Sequence, residues 1–508
     1  MPLVKYKKIQ NTNVNKVLSK LNKSKEGYFS KRGNIMAFSL FKEMSKRVPA
    51  YKKFLKKNNF DPNTVKSIKD FSKIPTIDKD NYLKEYPREE LCWDGDFRHN
   101  SWVISTTSGS TGEPFYFPRQ DEQDEQYAFT AELYLLNNFN IDKKSTLYIV
   151  AFPMGAWIGG VFTYEAIKTV AESGKYNLSI ITPGISKVEV IKAVKNLGKD
   201  FDQIIIGSYG PFLKDIIDDA STYGVDWVDY DVKFVMSAEA ISEGFRDYLQ
   251  NKTGFKNIFL DTLNHYGTVD MGTMAHETPL AILVRRLAVG DKDIFRSIFG
   301  DIGKTPTLAQ FIPEMFYFES DNGRLYCSAY SGVPLVRYDL KDNGDVFTLD
   351  SLVKKLKDKG LDLNKLIEKE KLKPYIWNLP FVHVFERNDF SVSFFAFQIY
   401  PETIKKAFLN DKIQEFATGK FCMEVNYNND GRQIFNIHTE LRRNMVKEKS
   451  MGDIINKEVL AHLLSDNSEF RKTYEMYGDE ISPNIIFWEY EDDKYFKVGG
   501  KQKWVTKC

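Results

Sequence analysis

Between about residues 100 and 385, short apolar runs alternate with stretches of helical periodicity, and this rhythm constrains the fold more than any other feature. Thr146–Phe152 and Gln203–Ile206 are strand-length and largely apolar, while Val188–Leu197 and Pro211–Tyr223 carry apolar residues at helical spacing. A strand without polar alternation needs cover on both faces, and helical connectors of this length supply it. The pattern predicts βαβ units around a largely parallel sheet, hence an α/β body over 101–385. After Asn388 the text changes. Phe390–Phe397, Glu424–Tyr427 and Gln433–His438 read as strands, Pro401–Leu409 and Ile454–Leu464 as helices. A smaller α+β domain is expected over 386–508, with the boundary near Phe385–Asp389. Two such cores suit 508 residues, since single cores stop growing near ~250.

The front end differs in charge. Residues 1–60 hold sixteen Lys/Arg against Glu26 and Glu43, although the whole chain is nearly balanced at 71 basic and 69 acidic residues. Apolar positions Ile35, Phe38, Phe41, Met44, Val48, Tyr51, Phe54 and Leu55 recur at helical spacing, which predicts one or two amphipathic helices within a helical front module over 1–100. The lysines then form a solvated face. With no global field of one sign, a purely electrostatic nucleic-acid or membrane binder is excluded, and no nucleic-acid partner is expected. Cys92, Cys327, Cys422 and Cys508 are too scattered for a disulfide framework or a zinc site. Cys327 reads as a buried small hydrophobe, and a reducing cytoplasm fits best. The N-terminus lacks the apolar stretch of a signal peptide, and the most apolar segment, 147–162, is broken by Pro153 and glycines, so no membrane span is expected.

The densest chemical signal is Thr107-Ser-Gly-Ser-Thr-Gly-Glu-Pro114, which packs four hydroxyls and two glycines into six residues after the strand-like 102–105. Glycine lets backbone N–H groups approach an anion, and hydroxyls add donors, so the composition suits a loop folded over phosphates. The Gly-Lys-Ser/Thr ending of a Walker loop is absent. Taken alone, such a loop is a plain turn about as often.

Order is more informative. Downstream come Ser237-Ala-Glu239, His265-Tyr-Gly-Thr-Val-Asp-Met-Gly272, Pro334-Leu-Val-Arg-Tyr-Asp-Leu-Lys-Asp-Asn-Gly344, Glu386-Arg-Asn-Asp389 and Gly499-Gly-Lys-Gln-Lys-Trp-Val505. In this order and spacing, the set resembles the adenylate-forming (acyl-activating) superfamily, most closely its phenylacetate–CoA ligase-like branch, over nearly the whole chain. Val48-Pro-Ala-Tyr51 and the run from Ile68 to Lys79 look like that branch's approach to its phosphate loop.

The resemblance implies a large N-terminal adenylate-forming domain, 1–385, and a small mobile lid domain, 386–508. It implies that Ser108, Gly109, Ser110, Thr111 and Gly112 cradle the β- and γ-phosphates of ATP, with Phe115 where many members carry lysine. Ser237, Ala238 and Glu239 would line the adenine, and Tyr266 and Gly267 would lie near the base and the acyl pocket. Asp270 would hold Mg²⁺, and Asp342 would accept from the ribose hydroxyls. Arg387, counted with the nucleotide contacts, and Asp389 would sit at the hinge. Lys501 would be the mobile lysine that completes the adenylation site. The acyl pocket would draw on Phe152–Gly160 and Gly207–Phe212, where Met154, Trp157 and Tyr209 suggest an apolar or aromatic acid. Elementary chemistry agrees: attack of a carboxylate on the α-phosphate gathers negative charge, which calls for a metal and a fixed cation.

Two departures matter. The family's Tyr-Gly-x-Thr/Ser-Glu here reads Tyr266-Gly-Thr-Val-Asp270, so Thr268 would supply the hydroxyl that Val269 lacks. Phe395-Ala396 stands where relatives carry Arg-Gly beside the thioester tunnel. Adenylation is therefore better supported than transfer to coenzyme A. The expected chemistry is activation of a small carboxylic acid by ATP and transfer to coenzyme A or another acceptor, an amine, a sugar or a protein thiol. A nucleotide-binding relative without catalysis is the rival from another class. A homodimer is compatible with either.

Overall fold

The computed structural model describes residues 13–106, 115–156, 158–300, 305–385, 391–394, 397–427, 433–497 and 502–506. Its centre is an eleven-stranded sheet. The spatial order is Phe316–Asp321, Arg324–Ala329, Leu335–Phe347, Phe381–Phe385, Thr307–Gln310, Gly272–His276, Thr262–Thr268, Val232–Met236, Gln203–Ser208, Thr146–Ala151, Leu178–Ile181. From Leu178–Ile181 to Thr262–Thr268 every neighbouring pair is parallel.

The parallel half follows the sequence rhythm. Thr146–Ala151, Gln203–Ser208 and Val232–Met236 are buried throughout. Successive side chains face opposite ways, so Tyr148, Val150 and Phe152 join one core, whereas Leu147, Ile149 and Ala151 join another beneath the helices Lys187–Leu197 and Gly210–Asp219. Parallel strands share one polarity, so their carboxyl ends line a single edge. That edge carries the segments after Ala151, Ser208, Met236 and Thr268, the place where open α/β sheets bind ligands.

From Thr262 to Phe385 the expectation of a largely parallel sheet fails, because all six remaining pairings are antiparallel. At the outer edge of this half the physical reason is turn chemistry. Asn322 (φ 50°) and Gly323 (φ 77°) make a two-residue connection between Asp321 and Arg324, a hairpin that left-handed residues favour.

The front module divides at Val48-Pro49 into the helices Glu26–Arg47 and Pro49–Lys57, preceded by Val14–Lys23. Phe41, Met44, Tyr51, Phe54 and Leu55 are buried as their spacing requires. The segment after it docks on the sheet. Ile77 bridges to Tyr338 in parallel fashion, and the Arg337 guanidinium donates to Ser72 O at 2.8 Å and Ile74 O at 2.6 Å.

Beyond residue 391 a separate three-stranded sheet, Ala417–Tyr427, Gln433–Leu441 and Asn484–Trp488, packs with the helices Pro401–Ala407 and Lys449–Asp466 around its own core. This is the expected α+β unit. Cys327 is fully buried in Arg324–Ala329, and burial pushes its thiol well above the usual range, as suits an inert hydrophobe. No helix among the described residues is long and apolar enough to cross a membrane.

Candidate active site

The strand Thr262–Thr268 runs out at the same carboxyl edge and carries Tyr266 and Thr268, with Asp270 following it. Opposite them runs the irregular strand Leu335–Phe347. Its pairing with Arg324–Ala329 shifts register twice, and each irregular stretch contains a non-glycine residue in the left-handed region, Arg337 (φ 50°) and Lys341 (φ 61°). Such bulges re-aim side chains. Here each left-handed residue immediately precedes a residue that reaches the site. Tyr338 donates its hydroxyl to Asp270 Oδ2 at 2.9 Å, and Asp342 Oδ2 accepts the Tyr266 hydroxyl at 2.8 Å. Two tyrosine–carboxylate pairs thus cross in opposite senses between the two segments. Asp342 lies within the strand, so it is not a turn residue as its Lys-Asp-Asn-Gly context alone would read.

The Asp270 side chain is 7% exposed and pairs with Lys79 Nζ at 3.4 Å. Lys79 sits 5.6 Å from the ring centroid of Phe117, on the strand Tyr116–Arg119, which pairs antiparallel with Val103–Thr106. These two strands are the arms that lead into and out of 107–114. Thr106 N–H donates to Ala156 O at 2.9 Å, which ties the same hairpin to the segment around Met154. The arms of the hydroxyl-rich loop, Asp270 and Asp342 therefore share one neighbourhood. Ser108, Gly109, Ser110, Thr111, Gly112, Trp157, Arg387, Asp389, Phe395, Ala396, Lys501 and Cys508 lie outside the described residues.

Thr268 Oγ1 is buried with no hydrogen-bond partner among the described residues. A buried unpaired hydroxyl costs about 1–3 kcal/mol, so this donor is available to an oxygen-rich ligand beside Asp270. Among the described residues no group of three His, Cys, Asp or Glu could hold a metal. Mg²⁺ is usually held by one or two carboxylates plus substrate phosphates and waters. Asp270 fits that pattern, because it already holds a cation, the Lys79 ammonium.

The segment expected to line an adenine divides its contacts. Ser237, Ala238 and Glu239 follow Val232–Met236 at the carboxyl edge, and Ala238 takes a left-handed φ of 77°. Asn264 Nδ2 donates to Glu239 O at 3.0 Å, holding the segment beside the strand of Tyr266. The Glu239 carboxylate points elsewhere, to Lys405 and Trp504 of the C-terminal unit, at 3.0 Å each. Tyr266 is buried, with its ring stacked on Phe318 at 6.1 Å. Gly267 leaves no room for a Cβ, which would meet Gly272 O at 2.5 Å.

Two of the residues expected to line an acyl pocket are described. Met154 is exposed at the edge, packed near Gly160 and Gly184. Tyr209 is half-buried, stacks on Phe212 at 5.7 Å and packs on the core of the opposite sheet face. His265 lies among Tyr127, Tyr134 and His276. Burial, and then the neighbouring His276, holds its pKa far below the usual 6.5. Lys79 and Tyr338 are the contributors that motif reasoning left without a role. The sequence signals were that Lys79 closes the Ile68–Lys79 run and that Tyr338 lies within the Pro334–Gly344 motif.

No protein-family model matches the chain, and no curated protein matches it. Solved structures do. 2-Hydroxyisobutyryl-CoA ligase in its postadenylation state with R3-HIB-AMP is similar at 11% identity and a TM-score of 0.68, over 96% of this chain and 92% of that one. The same ligase with 2-HIB-AMP and CoA in its thioesterification state matches at 12% identity and a TM-score of 0.54, over 96% and 91%. The acyl acid amido synthetase AtGH3.15 in complex with 2,4-DB matches at 13% identity and a TM-score of 0.59, over 97% and 93%. Likeness along nearly the full length of both partners, at identities this low, establishes architecture: the chain has the fold of the adenylate-forming ligases.

Proposed function

We propose that this chain is an enzyme that condenses a carboxylic acid with ATP to an acyl-adenylate, releasing pyrophosphate, and then passes the acyl group to a thiol, coenzyme A first. The observation that carries the reading is the paired crossing of Tyr266–Asp342 and Tyr338–Asp270 beside the arms of the hydroxyl-rich loop. So read, one of the two carboxylates serves as the acceptor for a sugar and the other holds a cation for a triphosphate. In this reading Asp342 takes the ribose hydroxyls, Ser237–Glu239 and Tyr266 flank the base, and residues 108–112 donate to the pyrophosphate. Thr268 donates to the α-phosphate. Mg²⁺ bound at Asp270 would offset phosphate charge. Lys501 supplies the fixed cation at the reacting phosphorus.

ATP–pyrophosphate exchange over a panel of carboxylic acids tests the first step, and a wild-type protein that exchanges with none of them overturns it. The acceptor is a separate question, because the same fold serves a CoA ligase and an amido synthetase. Product analysis with coenzyme A and with amino acids decides between thioester and amide.

A further inference from the structure

The segment that follows Lys501 is tied to both parts of the molecule. Residues 504–506 add to the edge of Ala417–Tyr427: Met423 N–H donates to Trp504 O at 2.8 Å, and Thr506 N–H to Met423 O at 2.9 Å. From that edge the Trp504 indole Nε1–H crosses to Glu239 Oε2 at 3.0 Å. The same oxygen accepts from Lys405 Nζ at 3.0 Å, and Lys405 stands 4.0 Å from the centroid of the Trp504 ring. Trp504 is 6% exposed and the Glu239 side chain 8%, so the contact is largely dry. Other ion pairs join the two units, Lys420 to Asp215 and Arg442 to Asp218, but none of them lies on the segment that leads from Lys501.

We propose that Glu239, Trp504 and Lys405 form a clasp that positions Lys501 for acyl-adenylate formation, an inference that rests on the function proposed above. Three residues of chain span at most ~11 Å, so whatever holds Trp504 limits the reach of a residue three positions before it. The carboxylate receives two donors from the C-terminal unit, one of them charged, and charge-assisted bonds in a dry site are the strong kind. All three are positioning residues, acting on the reaction through where they hold the lysine. Turning the C-terminal unit to admit an acceptor requires both bonds to open, so the clasp biases the molecule toward the adenylation arrangement and opposes the second step.

Trp504→Phe removes the indole donor and leaves a ring for Lys405, and Lys405→Met removes the ammonium and keeps most of the stem. With an acid that the wild type accepts, each variant should lose about tenfold or more in ATP–pyrophosphate exchange, the size expected for a hydrogen bond to a charged group. Single-turnover consumption of a supplied acyl-adenylate should be unchanged or faster, and thermal midpoints should match the wild type. Wild-type exchange in both variants overturns the clasp, as does equal loss in both half-reactions, which marks a merely structural role. Small-angle scattering gives a second readout, in which the double variant should show a larger radius of gyration and an unchanged curve refutes the clasp. If the wild type exchanges with no acid, the functional reading has failed, and scattering alone then decides whether the clasp stands.

Discussion

Tyr266 and Asp342 stand 76 positions apart in sequence yet share a hydrogen bond of 2.8 Å. A phenol that donates to a carboxylate fixes the carboxylate's orientation while leaving it lone pairs for a second donor. If that donor is a ribose hydroxyl, Asp342→Ala should raise the KM for ATP about tenfold to a hundredfold, the worth of one or two charge-assisted bonds. Tyr266→Phe keeps the ring and should raise it less. Comparing ATP with its 2′-deoxy and 3′-deoxy forms checks the assignment. The wild type should lose affinity for at least one deoxy form, whereas Asp342→Ala should bind all three alike. An Asp342→Ala protein that still discriminates places the sugar elsewhere.

Asp270 carries the metal side of the reading. Asp270→Asn retains shape and a hydrogen-bond acceptor but removes charge, and exchange should fall by about a hundredfold or more, as losses of charge stabilisation at a reacting phosphate do. Tyr338→Phe only frees the carboxylate to turn, so its loss should be nearer tenfold or below. The measurement is exchange as a function of Mg²⁺ concentration. Tyr338→Phe should shift the Mg²⁺ midpoint upward, and Asp270→Asn should leave no saturable dependence. A saturable curve unchanged in Asp270→Asn would remove the metal from this residue.

The sequence showed the site's ends and not its joints. Tyr266, Thr268, Asp270 and Asp342 were singled out because their motifs, in their order along the chain, resemble those of a family. Tyr338 was not, since its reach to Asp270 depends on a left-handed Arg337 that no local pattern forces. Glu239 was read as an adenine neighbour from its motif, but the fate of its carboxylate is set by Lys405 and Trp504, which lie more than 160 positions away. The parallel half of the sheet announced itself by unbroken apolar strands. The antiparallel half did not, because a mixed segment such as Phe316–Asp321 takes its place by pairing with Arg324–Ala329.

Arg337 couples the front module to the sheet that carries Asp342. Its guanidinium donates to Ser72 O and Ile74 O and meets Glu319 Oε2 at 3.2 Å, with the residue only 6% exposed. Burial pushes the Glu319 carboxyl up, against the pull of the arginine. Arg337→Met would leave buried carbonyls and a carboxylate unpaired, at a cost of about 3–5 kcal/mol for the broken pair. Urea unfolding should report that loss, and limited proteolysis should show earlier cutting within 66–79. Equal protease resistance with unchanged stability would show that the front segment is held by other contacts.

Acid should weaken the fold through buried histidines, among them His265, His276 and His383, rather than through the site. His265 and His276 pack together, and burial alone lowers His276 from the ordinary 6.5 to about 4, while burial and then the neighbouring His276 hold His265 well below 6.5. Both are depressed on folding, so the unfolded chain binds their protons first. Their contribution is therefore complete above pH 6.5 and is lost as pH falls from there toward about 4, levelling off for His276 once the folded form is protonated too. Each such group steepens the fall by up to ~1.4 kcal/mol per pH unit. Carboxylates titrate in the same window, so the informative quantity is a difference. His276→Phe keeps an aromatic body against Tyr134 and Trp377 and removes the proton site. Its unfolding free energy, measured in urea from about pH 5 to about pH 7, should fall less steeply toward acid than the wild type's by up to that slope. Parallel curves would mean that His276 is protonated in the fold or leaves its pocket before it charges.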